Sequence, residues 1–115
     1  TYIDDIVEGV IRLIDKPSKG NEDWSGIKPN PSSSSAPWAI FNIGNNNPTK
    51  LEYFISLIEK NLGKKAIKNY LEIQPGDVSK TAADIDNLNK IIGFKPSTSI
   101  EEGIPKFISW YKNYH

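Results

Sequence analysis

The stretch Trp38-Ala39-Ile40-Phe41-Asn42-Ile43-Gly44-Asn45-Asn46-Asn47-Pro48-Thr49 changes its hydrophobic period midway. Trp38 to Ile43 is a short apolar run with aromatic and β-branched residues, the composition of a strand. Gly44-Asn45-Asn46-Asn47 reads as a turn, since Gly and Asn tolerate positive φ. Thr49 then reads as the cap of a helix, with Glu52 at the capping-box position. Leu51, Phe54, Ile55, Ile58 and Leu62 form the apolar face of that helix, and Gly63 is its C-terminal stop. Strand, turn and amphipathic helix in this order are one unit of an α/β fold.

Working outward, the N-terminal segment reads as a helix from about Asp4 to Asp15. Ile3, Ile6, Val7, Val10, Ile11 and Ile14 recur at three- and four-residue spacing. Asp4 or Asp5 is placed to cap it, with Glu8 three residues after Asp5, and Pro17 forbids its continuation. Residues 18–37 read as a flexible loop. They hold Gly20, Gly26, three prolines and the run Ser32 to Ser35, and bury too little apolar surface to offset their ordering entropy. Trp24 and Ile27 are the candidate tethers of its middle.

Downstream, Ala66 to Ile73 has the period of a half-buried strand, with Ile67, Leu71 and Ile73 on one side and Lys68, Tyr70 and Glu72 on the other. Gln74-Pro75-Gly76-Asp77 is a turn. A short extended piece, Val78 to Ala82, leads to a third helix capped by Asp84 and ended by Gly93. Ser99 and Glu102 make a capping box for a last helix running towards Tyr114. Pro105 lies past its first turn, where it costs roughly 3 kcal/mol or a kink, so a bend or a later helix start is expected.

The order helix, strand, helix, strand, helix, helix gives an α/β chain with two to three short strands. These are too few to cover four amphipathic helical faces. The sheet they would cover is expected outside these 115 residues, and the absence of a lead-in before the first helix suggests a fragment. The length suits a single unit, residues 1–115. Lys+Arg and Asp+Glu are both 14, a balance that offers no reason to propose nucleic acid or an anionic membrane. No apolar run reaches the length of a membrane span. Cys is absent and the one His is His115, which removes thiolate chemistry, His-based metal sites and a Ser-His-Asp triad from consideration. The lack of Cys fits a cytoplasmic protein.

Dinucleotide and redox signatures are missing too. No GxGxxG or GxxGxxG occurs, and the lone Gly44 before a helix is a weak signal for pyrophosphate. No Tyr is followed four residues later by Lys, so no pair is present in which a cation lowers a tyrosine pKa. No catalytic, cofactor-binding or metal-binding residue is therefore assigned in this chain. The candidate substrate-binding residues are Gln74, Gly76 and Asp77. Read from the residues alone this is a turn. It nevertheless places an amide, a flexible backbone and a carboxylate after a strand, and a carboxylate can accept both hydroxyls of a ribose.

Thr1-Tyr2-Ile3-Asp4-Asp5-Ile6-Val7 resembles the segment of extended short-chain dehydrogenases in which an aromatic-x-aromatic stretch enters a helix through Asp. Phe41-Asn42-Ile43-Gly44-Asn45 is similar to the family's Tyr-Asn-Ile-Gly-Asn strand. Gln74-Pro75-Gly76-Asp77-Val78 with Thr81-Ala82-Ala83-Asp84 resembles its Pro-Gly-Asp-Val…Ala-Asp segment. Gly93-Phe94-Lys95-Pro96, Ser99 to Ile104 and Trp110-Tyr111 complete an ordered match along the whole chain. The subgroup most similar is the NAD-dependent UDP-glucuronate 4-epimerases.

The resemblance implies the C-terminal part of an extended short-chain dehydrogenase fold, without most of the Rossmann sheet. It implies an isomerase whose NAD is held by an N-terminal part absent from this sequence. Asp77 would be similar to residues that hold the nucleotide ribose. Gln74 stands where related UDP-galactose epimerases often carry an Arg on phosphate, so the charge would have to come from elsewhere. The implied partner is a UDP-sugar, and the implied assembly of the full-length protein is a homodimer. A UDP-glucuronate decarboxylase or nucleotide-sugar dehydratase of the same family fits these residues as well. A stand-alone, non-catalytic binding or interaction module is the alternative of a different class.

Overall fold

The computed structural model describes residues 1–78 and 80–115. Its helices are α1 (Ile3–Ile14), α2 (Leu51–Leu62), α3 (Asp86–Ile92) and α4 (Ile100–Tyr114). α2 packs against α4, and α1 against α3. The buried apolar side chains are Ile85, Leu88, Ile104 and Ile108, with Leu88 only 1% exposed. This small core lies on α4 and around the start of α3.

The helix ends follow local chemistry, though not always the expected one. Gly63 and Gly93 close α2 and α3 at φ 70° and 61°, a left-handed conformation that costs glycine little. Ser99 caps α4, its hydroxyl accepting the Glu102 N–H at 3.3 Å. Asp4, Asp5 and Thr49 do not cap their helices. α1 and α2 begin after Tyr2 and Lys50 with no side-chain cap. Asp84 accepts the Asp86 N–H at 3.0 Å, but α3 starts later than expected, after Ile85. Glu8 turns to Arg12 one helical turn on, and Glu52 to residues beyond α2. For Asp5, Glu8 and Glu52 another partner, a distant pair of backbone N–H groups or a cation, takes the side chain that the local cap would use. α4 runs unbroken through Pro105, so the later start is not seen.

The expected strands do not form. Among the described residues there are only two isolated bridges, Ser25 with Lys28 and Ser33 with Ala39. A strand satisfies its backbone through a neighbour; Trp38–Ile43 meets only the isolated bridge at Ala39, and Ala66–Ile73 has none among the described residues. The alternation of the second segment persists without a ladder. Lys68 Nζ lies 2.5 Å from Glu52 Oε2, and the Tyr70 hydroxyl donates to Glu52 Oε1 at 2.7 Å. Residues two apart thus face α2, while Ile67, Leu71 and Ile73 are exposed. The expected extended piece Val78–Ala82 contains Ser79, which is outside the described residues. Val78 and Lys80 belong to no ladder.

Residues 18–37 are tied by local bonds. Asn21 N–H donates to the Ser34 carbonyl at 2.8 Å, Ile40 N–H to the Ser32 carbonyl at 2.9 Å, and Asn21 Nδ2 to Ser33 Oγ at 3.2 Å. Trp24 is half-buried, but Ile27 is fully exposed and tethers nothing.

The radius of gyration is 18.6 Å, against about 13 Å for a compact domain of this size. The chain is elongated, and the apolar stripe of α1 is open. On α1, Ile3, Val7, Val10, Ile11 and Ile14 are 46–72% exposed.

Candidate functional site

The turn carrying the predicted site residues is built by its own sequence. The Asp77 N–H donates to the Gln74 carbonyl at 3.1 Å, closing a four-residue turn. Pro75 occupies its first central position and Gly76, at φ 94°, its second. That is type II chemistry, which demands a residue free to take positive φ. Among the described residues no atom stands within 4 Å of the place a Cβ would occupy on Gly76, so its positive φ is what requires the glycine. Gln74 Nε2 donates back to the Glu72 carbonyl at 3.1 Å, which occupies one of the amide's donors. Gln74, Gly76 and Asp77 are all exposed. Among the described residues the Asp77 carboxylate has no hydrogen-bond or ion-pair partner.

A hollow of about 1390 Å³ lies beside this turn. Its walls come from the start of α1, residues 42–45 and 47–51, Val78 with residues 80–83, and the front of α4. Val78, the residue after Asp77, lines it, whereas Gln74, Gly76 and Asp77 do not. The structure therefore gathers the three predicted residues into one turn but keeps them out of the walls.

A polar seam links the walls across long sequence distances. The Asp5 carboxylate, buried at 9% exposure, accepts the N–H groups of Ser97 at 3.1 Å and Thr98 at 2.8 Å. The Thr98 carbonyl accepts Asn45 Nδ2 at 3.1 Å. The Asn45 N–H donates to Thr1 Oγ1 at 2.8 Å. Thr1, Asn45 and Thr98 all line the hollow. Sequence reasoning passed over them. Asn45 reads as a turn residue, and only the folded chain brings it to positions 1 and 98.

Gly44 is buried, and a Cβ there would stand 2.6 Å from the Ala83 Cβ. Its lack of a side chain serves close packing inside this chain, and Asn46 and Thr49, two and five residues on, stand where a pyrophosphate-binding turn of the GxGxxG type carries its further glycines. The residues present do not fit a dinucleotide. Among the described residues no group of three or more His, Cys, Asp and Glu is placed to hold a metal ion. Among the described residues no helix is long and apolar enough to cross a membrane.

The shifted ionisable groups are exposed ion pairs and phenol contacts, of which Glu101 alone lines the hollow. Glu59 is held below the usual carboxylate range by Lys65 and by the Ala66 N–H. Glu102 raises Lys106. Tyr53 donates to Glu101 at 2.8 Å and is raised by that bond. A tyrosine pushed upward is the reverse of one prepared for proton abstraction.

No family model matches this chain. It is 51% identical over 115 residues to the protein CapI of Staphylococcus aureus, covering 100% of this chain and 34% of that one. It is 40% identical over 116 residues to UDP-glucuronate 4-epimerase 1 of Arabidopsis thaliana, covering 100% of this chain and 26% of that one. Among solved structures it is similar to a UDP-glucuronic acid 4-epimerase of Bacillus cereus. That protein was crystallised as a tyrosine-to-phenylalanine mutant with UDP-4-deoxy-4-fluoro-glucuronic acid and NAD. The TM-score is 0.71 at 25% identity, over 100% of this chain and 32% of that one. The chain thus spans about a quarter to a third of the length of these relatives. Over that span it is homologous to UDP-glucuronate 4-epimerases and shares part of their fold.

Proposed function

We propose that this chain forms part of the UDP-sugar pocket of an NAD-dependent UDP-sugar 4-epimerase, with UDP-glucuronate as its substrate. The observation that carries the reading is the end-to-end similarity to UDP-glucuronate 4-epimerases. The Gln74–Asp77 turn beside the hollow is consistent with it. NAD, held by residues outside this sequence, supplies reversible hydride transfer. The 115 residues contribute binding. Asp77, with its carboxylate exposed and unpaired among the described residues, accepts the ribose hydroxyls. Gly76 lets the ligand approach the backbone, and Gln74 presents its amide to the nucleotide. Holding the nucleotide away from the reacting carbon leaves the sugar free to turn over between hydride removal and return. The helical faces left open here cover the cofactor-binding sheet, and the complete protein is a cytoplasmic homodimer.

The test uses the complete protein with NAD and UDP-glucuronate, following inversion at C4 with the carboxylate retained. Release of carbon dioxide would point to a decarboxylase instead. Asp77→Ala removes charge-assisted hydrogen bonds worth roughly 1.5–3 kcal/mol, so KM should rise about ten- to a hundredfold. An unchanged KM removes Asp77 from the site. A chain that binds UDP by itself and gains nothing from NAD-binding residues would be a stand-alone module.

A further inference from the structure

The Asn45 carboxamide is held in one orientation by chemistry that leaves no choice of flip. Its terminal nitrogen lies 3.1 Å from the Thr98 carbonyl oxygen, an atom that can only accept, so the NH2 end must face Thr98 and Oδ1 must face the other way. Among the described residues Oδ1 accepts no hydrogen bond, and no half-buried or buried side-chain polar atom is shut away from solvent without a partner. Asn45 is half-buried and lines the hollow. Its backbone is fixed too, through the N–H bond to Thr1 Oγ1 at 2.8 Å. Asp5 holds the other end of the seam, through the Thr98 N–H at 2.8 Å.

We infer that Asn45 is a ligand-binding residue: its Oδ1 accepts a hydrogen bond from a neutral donor of the nucleotide sugar, a hydroxyl or the uracil imide N–H. This rests on the function proposed above. An acceptor fixed at both ends loses little freedom on binding, so its bond to a ligand is formed at low entropic cost. The geometry selects a neutral donor over the diphosphate, because a carbonyl oxygen repels phosphate oxygens.

Calorimetry on the complete protein, loaded with NAD, tests this with UDP-glucuronate and with UDP. Asn45→Ala should weaken UDP-glucuronate by roughly two- to tenfold, the effect of one neutral hydrogen bond. A loss for UDP-glucuronate alone places the donor on the sugar, and an equal loss for both places it on the nucleoside. Asp5→Asn supplies the structural comparison, since it strikes the seam away from the hollow. It should lower the melting temperature with affinity kept. Equal losses of affinity in Asn45→Ala and Asp5→Asn would assign the effect to the seam and overturn the inference. Binding by Asn45→Ala as tight as the unsubstituted protein also overturns it, while leaving the proposed function standing. No binding of either ligand by the unsubstituted protein overturns both.

Discussion

Glu52 shows how one residue is drawn away from its local role by partners met only in the fold. It stands in the first turn of α2, where a carboxylate is favoured by the helix dipole, yet it bonds Lys68 and Tyr70. Lys68, then Tyr70, hold its carboxyl below the ordinary value of 4.5. The same contacts raise Lys68 and Tyr70. A lowered folded-state pKa stabilises the fold above the unfolded value and is lost as pH falls through the folded one. Residues 66–70 should therefore leave α2 only below pH 4.5. Carboxyl carbon shifts of Glu52 followed by NMR should titrate below that value, and Lys68→Ala should return the midpoint towards it. A midpoint at or above 4.5 would show that the pair does not persist in solution.

At the scale of the element, α4 combines a good beginning with a flawed interior. Ser99 caps it, and Glu101 and Glu102 lie in its first turn. Pro105 then lacks the N–H that would have reached the Glu101 carbonyl. Gly103 permits close contact with Tyr2, since a Cβ there would stand 3.1 Å from Tyr2 Cδ2. Lys106 lies over the Tyr2 ring at 5.3 Å, which adds to the same junction. The helix is thus held by Tyr2, just ahead of α1, and by α2 as well as by its own bonds. Pro105→Ala should stabilise it by up to about 3 kcal/mol, read as a higher melting temperature by circular dichroism. A lower melting temperature would mean that packing of the proline ring outweighs the missing bond.

For the whole molecule, the long dimension of 55 Å and the open stripe on α1 describe a layer, not a closed body. Val10 is half exposed, in the middle of that stripe. The proposed function requires the stripe to be covered in the complete protein. A cysteine placed there as Val10→Cys should react quickly with a thiol reagent in the 115-residue chain. In the complete protein it should be slowed at least tenfold, about the effect of a 1.4 kcal/mol opening cost. Equal rates would mean that the stripe stays exposed.

The amino-acid sequence by itself determined the four helices, the glycine stops at Gly63 and Gly93, the Ser99 cap and the Gln74–Asp77 turn. Each depends on residues a few positions apart, where periodicity, capping and positive φ act locally. Tertiary structure alone decided that the expected strands have no ladder, that Asp5 holds Ser97 and Thr98, and that Asn45 joins Thr1 and Thr98 in the wall of the hollow. A strand needs a neighbour, and a polar side chain takes the strongest partner in reach. Neither partner is given by spacing along the chain.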